Sequence, residues 1–149
     1  MKWVKERELP LPGNVYLTPQ DSIASFDPVD GSLSASPALL SRVRLSGDSL
    51  FQSAAVAFGN RALALVLSGA LSDGAEGVVE IARLGGRVLA QSYSSAEFAD
   101  MPRAAMKQSR IGMAFDPSAL AHVVVSLVMA PGASEWFRVG EGRTLRNQW

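Results

Sequence analysis

Ala62-Leu63-Ala64-Leu65-Val66-Leu67, followed by Ser68-Gly69-Ala70-Leu71-Ser72-Asp73-Gly74-Ala75-Glu76-Gly77, is the stretch on which the fold turns. The first six residues form a continuous apolar run, the pattern of a strand buried on both faces. The glycine-rich part breaks that pattern, and a segment with Val78, Ile81 and Ala82 at helical spacing follows. A strand, a tight loop and a helix start in this order make a crossover unit of an α/β protein. An acid at such a strand end, here Asp73, sits where open α/β sheets place their chemistry. Asp73 also has a purely structural reading. It precedes a helix, and Glu76 follows three residues later, as in a capping box.

Working outward, Asp48 precedes Leu50, Phe51, Ala54, Ala57 and Phe58 at helical spacing, and Gly59 closes the run. Asp30-Gly31 lies between two short runs in residues 23–37 and predicts a hairpin. Asn14-Val15-Tyr16-Leu17-Thr18 is a short β-like run after Pro10, Pro12 and Gly13. On the other side, Gly85-Gly86 ends the second helix, and Arg87-Val88-Leu89-Ala90 reads as the next strand. Asp100, Met101 and Pro102 open a short third helix through Ala104, Ala105 and Met106. Asp116-Pro117 opens the clearest helix, since Asp suits the N-cap and Pro the first turn. Its apolar stripe is Leu120, Val123, Val124, Leu127 and Val128, and Pro131-Gly132 stops it. After these, Trp136-Phe137-Arg138-Val139 and Arg143-Thr144-Leu145-Arg146 flank Gly140-Glu141-Gly142 as a second hairpin. Each strand-to-strand connection after residue 48 is long enough to hold a helix, so the sheet is expected to be parallel. The expectation is one α/β domain over residues 1–149, a reduced doubly wound parallel sheet with one or two β-hairpins.

Composition narrows the chemistry. Fourteen basic and fourteen acidic residues give zero net charge, with no electrostatic footprint for nucleic acid. Cysteine is absent and His122 is the sole histidine, so no metal site is expected. Neither G-x-x-x-x-G-K-[ST] nor a G-x-G-x-x-G turn occurs, and no cofactor is expected. The N-terminal Met1-Lys2-Trp3-Val4-Lys5-Glu6-Arg7-Glu8 has no apolar core of a signal peptide. No run approaches the ~20 apolar residues of a membrane helix, so no membrane span and a cytoplasmic location are expected.

Five segments, in register, resemble the bacterial chemotaxis protein-glutamate methylesterases. The loop S-G-A-L-S-D-G-A-E-G is similar to the family's T-G-M-G-x-D-G-A-x-G. Pro12-Gly13-Asn14-Val15-Tyr16-Leu17-Thr18-Pro19 is similar to P-G-x-x-Y-x-A-P, and Asp48-Ser49-Leu50-Phe51 to D-x-L-F. Gly85-Gly86 through Ala90-Gln91 is similar to G-G-x-x-I-A-Q, and Met101-Pro102-Arg103-Ala104-Ala105 reproduces M-P-R-A-A. The resemblance runs from residue 12 to about residue 130, and residues 131–149 form a divergent tail.

The resemblance implies ester hydrolysis by a serine, histidine and aspartate triad, with Asp73 as the acid. The family's serine and histidine precede its P-G-x-x-Y segment, so both are expected before residue 12, and neither is recognisable here. Ala70 stands where a family methionine helps form the oxyanion site through its backbone. Leu71 stands at a family glycine, and it is strained if that position needs a positive φ. The family's polar N-x-H-R run reads Ser41-Arg42-Val43-Arg44-Leu45-Ser46-Gly47, without its histidine. Arg44, Met101, Pro102 and Arg103 are the substrate-binding candidates that the resemblance implies. His122 shares a helix face with Ser118 and Ser126, opposite the apolar stripe, and reads as a surface residue. Ser68 and Ser72 flank the acid loop without a base in sequence reach, and no G-x-S-x-G elbow occurs.

Loss of a triad nucleophile or base costs about 10⁶ in turnover. The expected function is therefore a methylesterase-like domain in chemosensory signalling, non-catalytic alone, whose partner is a chemoreceptor or another chemosensory signalling protein. One alternative is half of a split receptor methylesterase/glutamine deamidase completed by a partner chain. Another is a degenerate fragment without activity. The resemblance implies that the strand carrying the nucleophile lies beside the one at residues 14–18, so without it that strand is expected to present a bare edge, which the uncharged Val15, Tyr16 and Leu17 do not blunt. A homodimer, a partner chain or the tail around residues 136–139 is expected to close it, the homodimer first.

Overall fold

The computed structural model describes residues 1–38, 46–110 and 112–129. Seven strands and four helices follow one another within them: β1 (Lys2–Trp3), β2 (Tyr16–Leu17), β3 (Ser22–Phe26), β4 (Leu33–Pro37), α1 (Ser46–Phe58), β5 (Leu63–Val66), α2 (Ala75–Arg83), β6 (Arg87–Gln91), α3 (Asp100–Ser109), β7 (Met113–Phe115) and α4 (Pro117–Met129).

The apolar run at residues 62–67 forms β5, as its pattern predicts. It pairs in parallel with β6, Leu63 opposite Arg87, and β6 pairs in parallel with β7, Leu89 opposite Met113. Helices α2 and α3 make the two crossovers. Val78 and Ile81 of α2 meet Val66 of β5, Val88 of β6 and Ala105 of α3 in the main core. Residues 23–37 form the predicted hairpin, with Phe26 opposite Leu33. A smaller apolar cluster of Val4, Ala24 and Leu33 lies beneath it, covered by Tyr16, Phe26 and Leu50. A cavity of about 360 Å³ separates the two clusters. It is lined by Val4, Tyr16, Phe26, Leu50, Ala62 and Leu63 among others.

Several elements depart from the sequence reading. β7 is only three residues long, too short for a period-2 pattern, and the sequence reading passes over it. β1 is likewise unforeseen: Lys2 and Trp3 are exposed, and they pair with Tyr16 and Leu17 across a long gap in sequence. The Val4 amide donates to the Leu17 carbonyl at 2.8 Å, so one edge of β2 is closed by the chain's own N-terminal residues. Helix α2 starts at Ala75, after a turn that holds Asp73. On α4, Leu120 is buried as expected, but Val128 is 62% exposed. The helix packs on β6 and β7, and Val128 and Met129 in its last turn are exposed. The hairpin expected around residues 136–146 and the candidate Arg44 lie outside the described residues.

Candidate functional site

The loop at residues 67–74 leaves the C-terminal end of β5 and is tied to the segment that leads into α3. The Gly69 amide donates to the Phe98 carbonyl at 2.9 Å, and the Met101 amide donates to the Gly69 carbonyl at 3.0 Å. Ser68 accepts from the Phe98 amide at its hydroxyl, 2.9 Å away, and gives its own amide to Gln91 Oε1 at 2.9 Å. Gln91 is buried at the end of β6, and its Nε2 donates to the Ser95 carbonyl at 2.8 Å. This glutamine joins the loop after β5 to the loop after β6. The sequence reading uses it only as part of a match, although a polar residue closing an apolar strand is itself a signal.

Of the candidates at this end of the sheet, Ala70 is exposed on the loop and Met101 is half-buried at the start of α3. The Met101 thioether lies directly over Gly69, where a Cβ would collide with it. Pro102 is fully buried in the first turn of α3. Arg103 is exposed, with its guanidinium 5.4 Å from the centre of the Tyr93 ring. The fold thus brings Ala70, Met101 and Arg103 to one end of the sheet.

Asp73 is not the cap of its own helix. The residue before α2 is Gly74, with φ +84° and no side chain to offer. The carboxylate of Asp73 turns instead to the N-terminus of α1. It accepts from the Gly47 amide at 3.0 Å and 2.9 Å, from the Asp48 amide at 3.1 Å and from the Ser46 hydroxyl at 3.2 Å. These are first-turn donors that a helix cannot satisfy internally, and the helix end carries partial positive charge.

Asp48 returns the arrangement. It is the third residue of α1, 6% exposed, and its Oδ1 accepts from the Gly77 amide of α2 at 2.7 Å. Asp48 therefore does not cap its own helix either. Each helix supplies, on or just before its first turn, the acid that satisfies the other. The sequence shows an acid at each helix start, and the usual capping rule assigns each to the helix that follows it. Here the pairs are exchanged, because the two N-termini meet side by side.

Leu71 has φ +68°, in the left-handed region, and its side chain is 62% exposed. The strain anticipated for a leucine at this position is present. A left-handed leucine costs roughly 1–2 kcal/mol, of which the extra chain entropy of glycine returns a part. Leu71→Gly is expected to raise stability by about 0.5–1 kcal/mol, read as a higher urea midpoint at unchanged slope. A lowered midpoint would mean that the leucine side chain makes a stabilising contact.

His122 is exposed on α4, and its Nδ1 lies 2.8 Å from the Ser118 carbonyl. The ring is engaged within its own helix, on the surface. Ser92, at the end of β6, gives its hydroxyl to Asp116 ahead of α4 and lies 2.7 Å from the Ser95 hydroxyl. These contacts fasten strand ends and bring no histidine to a serine. Among the described residues, no group of three or more histidine or acidic side chains is placed to hold a metal ion.

Comparison with known proteins agrees with this geometry. The model of the family described as CheB methylesterase matches residues 1–124. A protein-glutamate methylesterase/protein-glutamine glutaminase of Anaeromyxobacter dehalogenans is 36% identical over 112 residues, 74% of this chain and 32% of its own length. The protein-glutamate methylesterase FrzG of Myxococcus xanthus is 41% identical over 96 residues, 64% of this chain and 28% of its own. A Rhizobium meliloti relative of the same kind is 31% identical over 144 residues, 97% of this chain and 40% of its own. The chain thus spans about a third of the length of the curated relatives it matches. In fold it is similar to the crystal structure of the Thermotoga maritima CheB methylesterase catalytic domain, with TM-score 0.73 and 20% identity, covering 83% of this chain and 67% of that one. A strand–loop–helix with Asp73 in its loop, a parallel sheet and a family match over most of the sequence lead to one assignment: the chain belongs to the CheB methylesterase family.

Proposed function

We propose that this chain is a methylesterase-family domain of chemosensory signalling that does not turn over substrate by itself. The observation that carries the reading is the engagement of Asp73. Its carboxylate receives the first-turn donors of α1, and the sole histidine of the sequence faces outward on α4. An acid so held orients two helices. A triad would need it to orient an imidazole that in turn reaches a serine. The partner in this reading is a chemoreceptor or another protein of the same signalling system, met at the end of the sheet that carries Ala70, Met101 and Arg103. A cytoplasmic place belongs to the same reading. No helix among the described residues is long and apolar enough to cross a membrane.

The test is a methylesterase assay of the purified chain on methylated receptor fragments, and no turnover is expected. Turnover that survives His122→Ala but vanishes with Asp73→Ala would overturn the reading, because it would require an unrecognised nucleophile served by this acid.

A second reading is favoured by one observation. The match to the solved catalytic domain leaves about a third of that chain without a counterpart. A polypeptide carrying that remainder would supply the serine and histidine, making this chain half of a split esterase. Its mark is activity in the mixture that neither polypeptide shows alone.

A further inference from the structure

Helix α4 is apolar on two faces. Leu120, Val123, Val124 and Leu127 form the inner one, buried or half-buried where the helix packs on β6 and β7. Ala121, Val125 and Val128 recur at helical spacing on the outer one, with Met129 beside them. All four are exposed among the described residues, Val125 by 60% and Met129 by 75%. The helix holds no charged residue along its whole length. A surface helix normally carries charged and polar residues on its outer face, and a helix apolar all round is one that is covered all round.

A second copy of this chain is poorly matched to that face. Four partly exposed side chains within three helical turns fall well short of the roughly 800 Å² per partner that a stable interface buries. A segment of the same chain is held at high effective concentration and needs far less area. Residues 130–149 continue directly from α4 and lie outside the described residues. Pro131-Gly132 stops the helix, and Trp136-Phe137-Arg138-Val139 comes after three connecting residues. Three extended residues span up to about 10 Å, against a helical rise of about 6 Å from Val125 to Met129. The aromatic pair therefore reaches back along the face, and its large apolar area suits a surface without charge. The family match ends at residue 124, so Val125, Val128, Met129 and this segment lie beyond it.

We infer that the outer face of α4, formed by Ala121, Val125, Val128 and Met129, is the docking site of the chain's own residues 136–139, which fold back over it. The inference is independent of whether the chain hydrolyses an ester. A second copy of this chain is the competing occupant.

The sequence has no cysteine, so a single introduced thiol reports exposure without interference. In the full chain, Val125→Cys is expected to react with a maleimide at least tenfold more slowly than Val29→Cys, whose position in the β3–β4 turn is 92% exposed. Trp136→Ser, Phe137→Ser and Val139→Ser together are expected to restore the rate. Ala55→Cys, in the main core, should stay unreactive in both backgrounds, which shows that the rest of the chain remains folded. In the reverse direction, Trp3→Phe and Trp149→Phe leave Trp136 as the only tryptophan. It is expected to emit as a buried indole and to shift to the red with Val128→Lys. Equal rates for Val125→Cys and Val29→Cys would overturn the inference. So would protection that survives the three serine substitutions, which would mean another cover, and protection that rises with protein concentration, which would mean a second copy. Emission from Trp136 that ignores Val128→Lys would overturn it even if the serine substitutions disturbed folding.

Discussion

Gly77→Ala is expected to destabilise the chain by about 3 kcal/mol and to lower its melting temperature by roughly 10 °C. Alanine is the better helix former by about 1 kcal/mol, so propensity alone predicts the opposite sign. Packing reverses it. A Cβ at Gly77 would lie 2.7 Å from the Cβ of Phe51, 2.9 Å from the Asp48 carbonyl oxygen and 3.0 Å from the Asp48 Cα. These are backbone and near-backbone atoms of α1, so no rotamer change relieves the contact. The helices would have to separate, and the Gly77 amide would leave the Asp48 carboxylate that holds it at 2.7 Å. Urea denaturation of the variant checks this. A midpoint equal to or above that of the wild type would show that α1 and α2 do not approach as closely as described.

Asp48→Ala and Asp73→Ala are each expected to cost about 2 kcal/mol, toward the upper end for a lost helix cap. Asp48 is buried, and its removal leaves the Gly77 amide without its acceptor, which is the expensive way to lose a hydrogen bond. Asp73 serves two amides and a hydroxyl, so its loss exposes more donors through a less buried site. The double variant should fall short of the sum by about 1 kcal/mol, since either loss already loosens the helix pair. Asp73→Asn should recover part of the loss, because the amide oxygen still accepts from Gly47. Additive costs would mean that the two caps act independently. An Asp73→Ala variant more stable than the wild type would identify an acid kept at the expense of stability, as acids kept for chemistry often are.

Much of the architecture is legible where local chemistry is strong. The apolar run before Ser68 marks β5, Asp30-Gly31 marks the hairpin, and Asp116-Pro117 marks the start of α4. Local patterns have nothing to say about β1 and β7. These strands are two and three residues long and exist through pairing with distant partners. The site is legible to a similar degree. The position of the acid at the strand end is read correctly, and Leu71 takes the positive φ that its place in the loop implies. The capping-box reading of the acid is the part that fails, because a capping motif names a residue and its following helix, whereas the hydrogen bond goes to whichever helix end lies nearest in space. Asp48 is missed as the cap of α2 for the same reason.

The exchanged caps also bear on how the molecule opens. The Asp48–Gly77 bond joins positions 29 apart in sequence, and the Asp73–Gly47 bond joins positions 26 apart. Helices α1 and α2 have 13 and 9 residues, lengths at which an isolated helix is marginal or unstable in water. Neither can fray from its N-terminus without stripping the acceptor from the other. Fluctuations of this region should therefore be all-or-none: the slowly exchanging amides of both helices should share one opening free energy and one denaturant dependence, as a single foldon. The loop at residues 67–74, which leads from β5 into α2, would then be released as a whole or not at all, so a partner that grips the end of the sheet would meet either a finished surface or none.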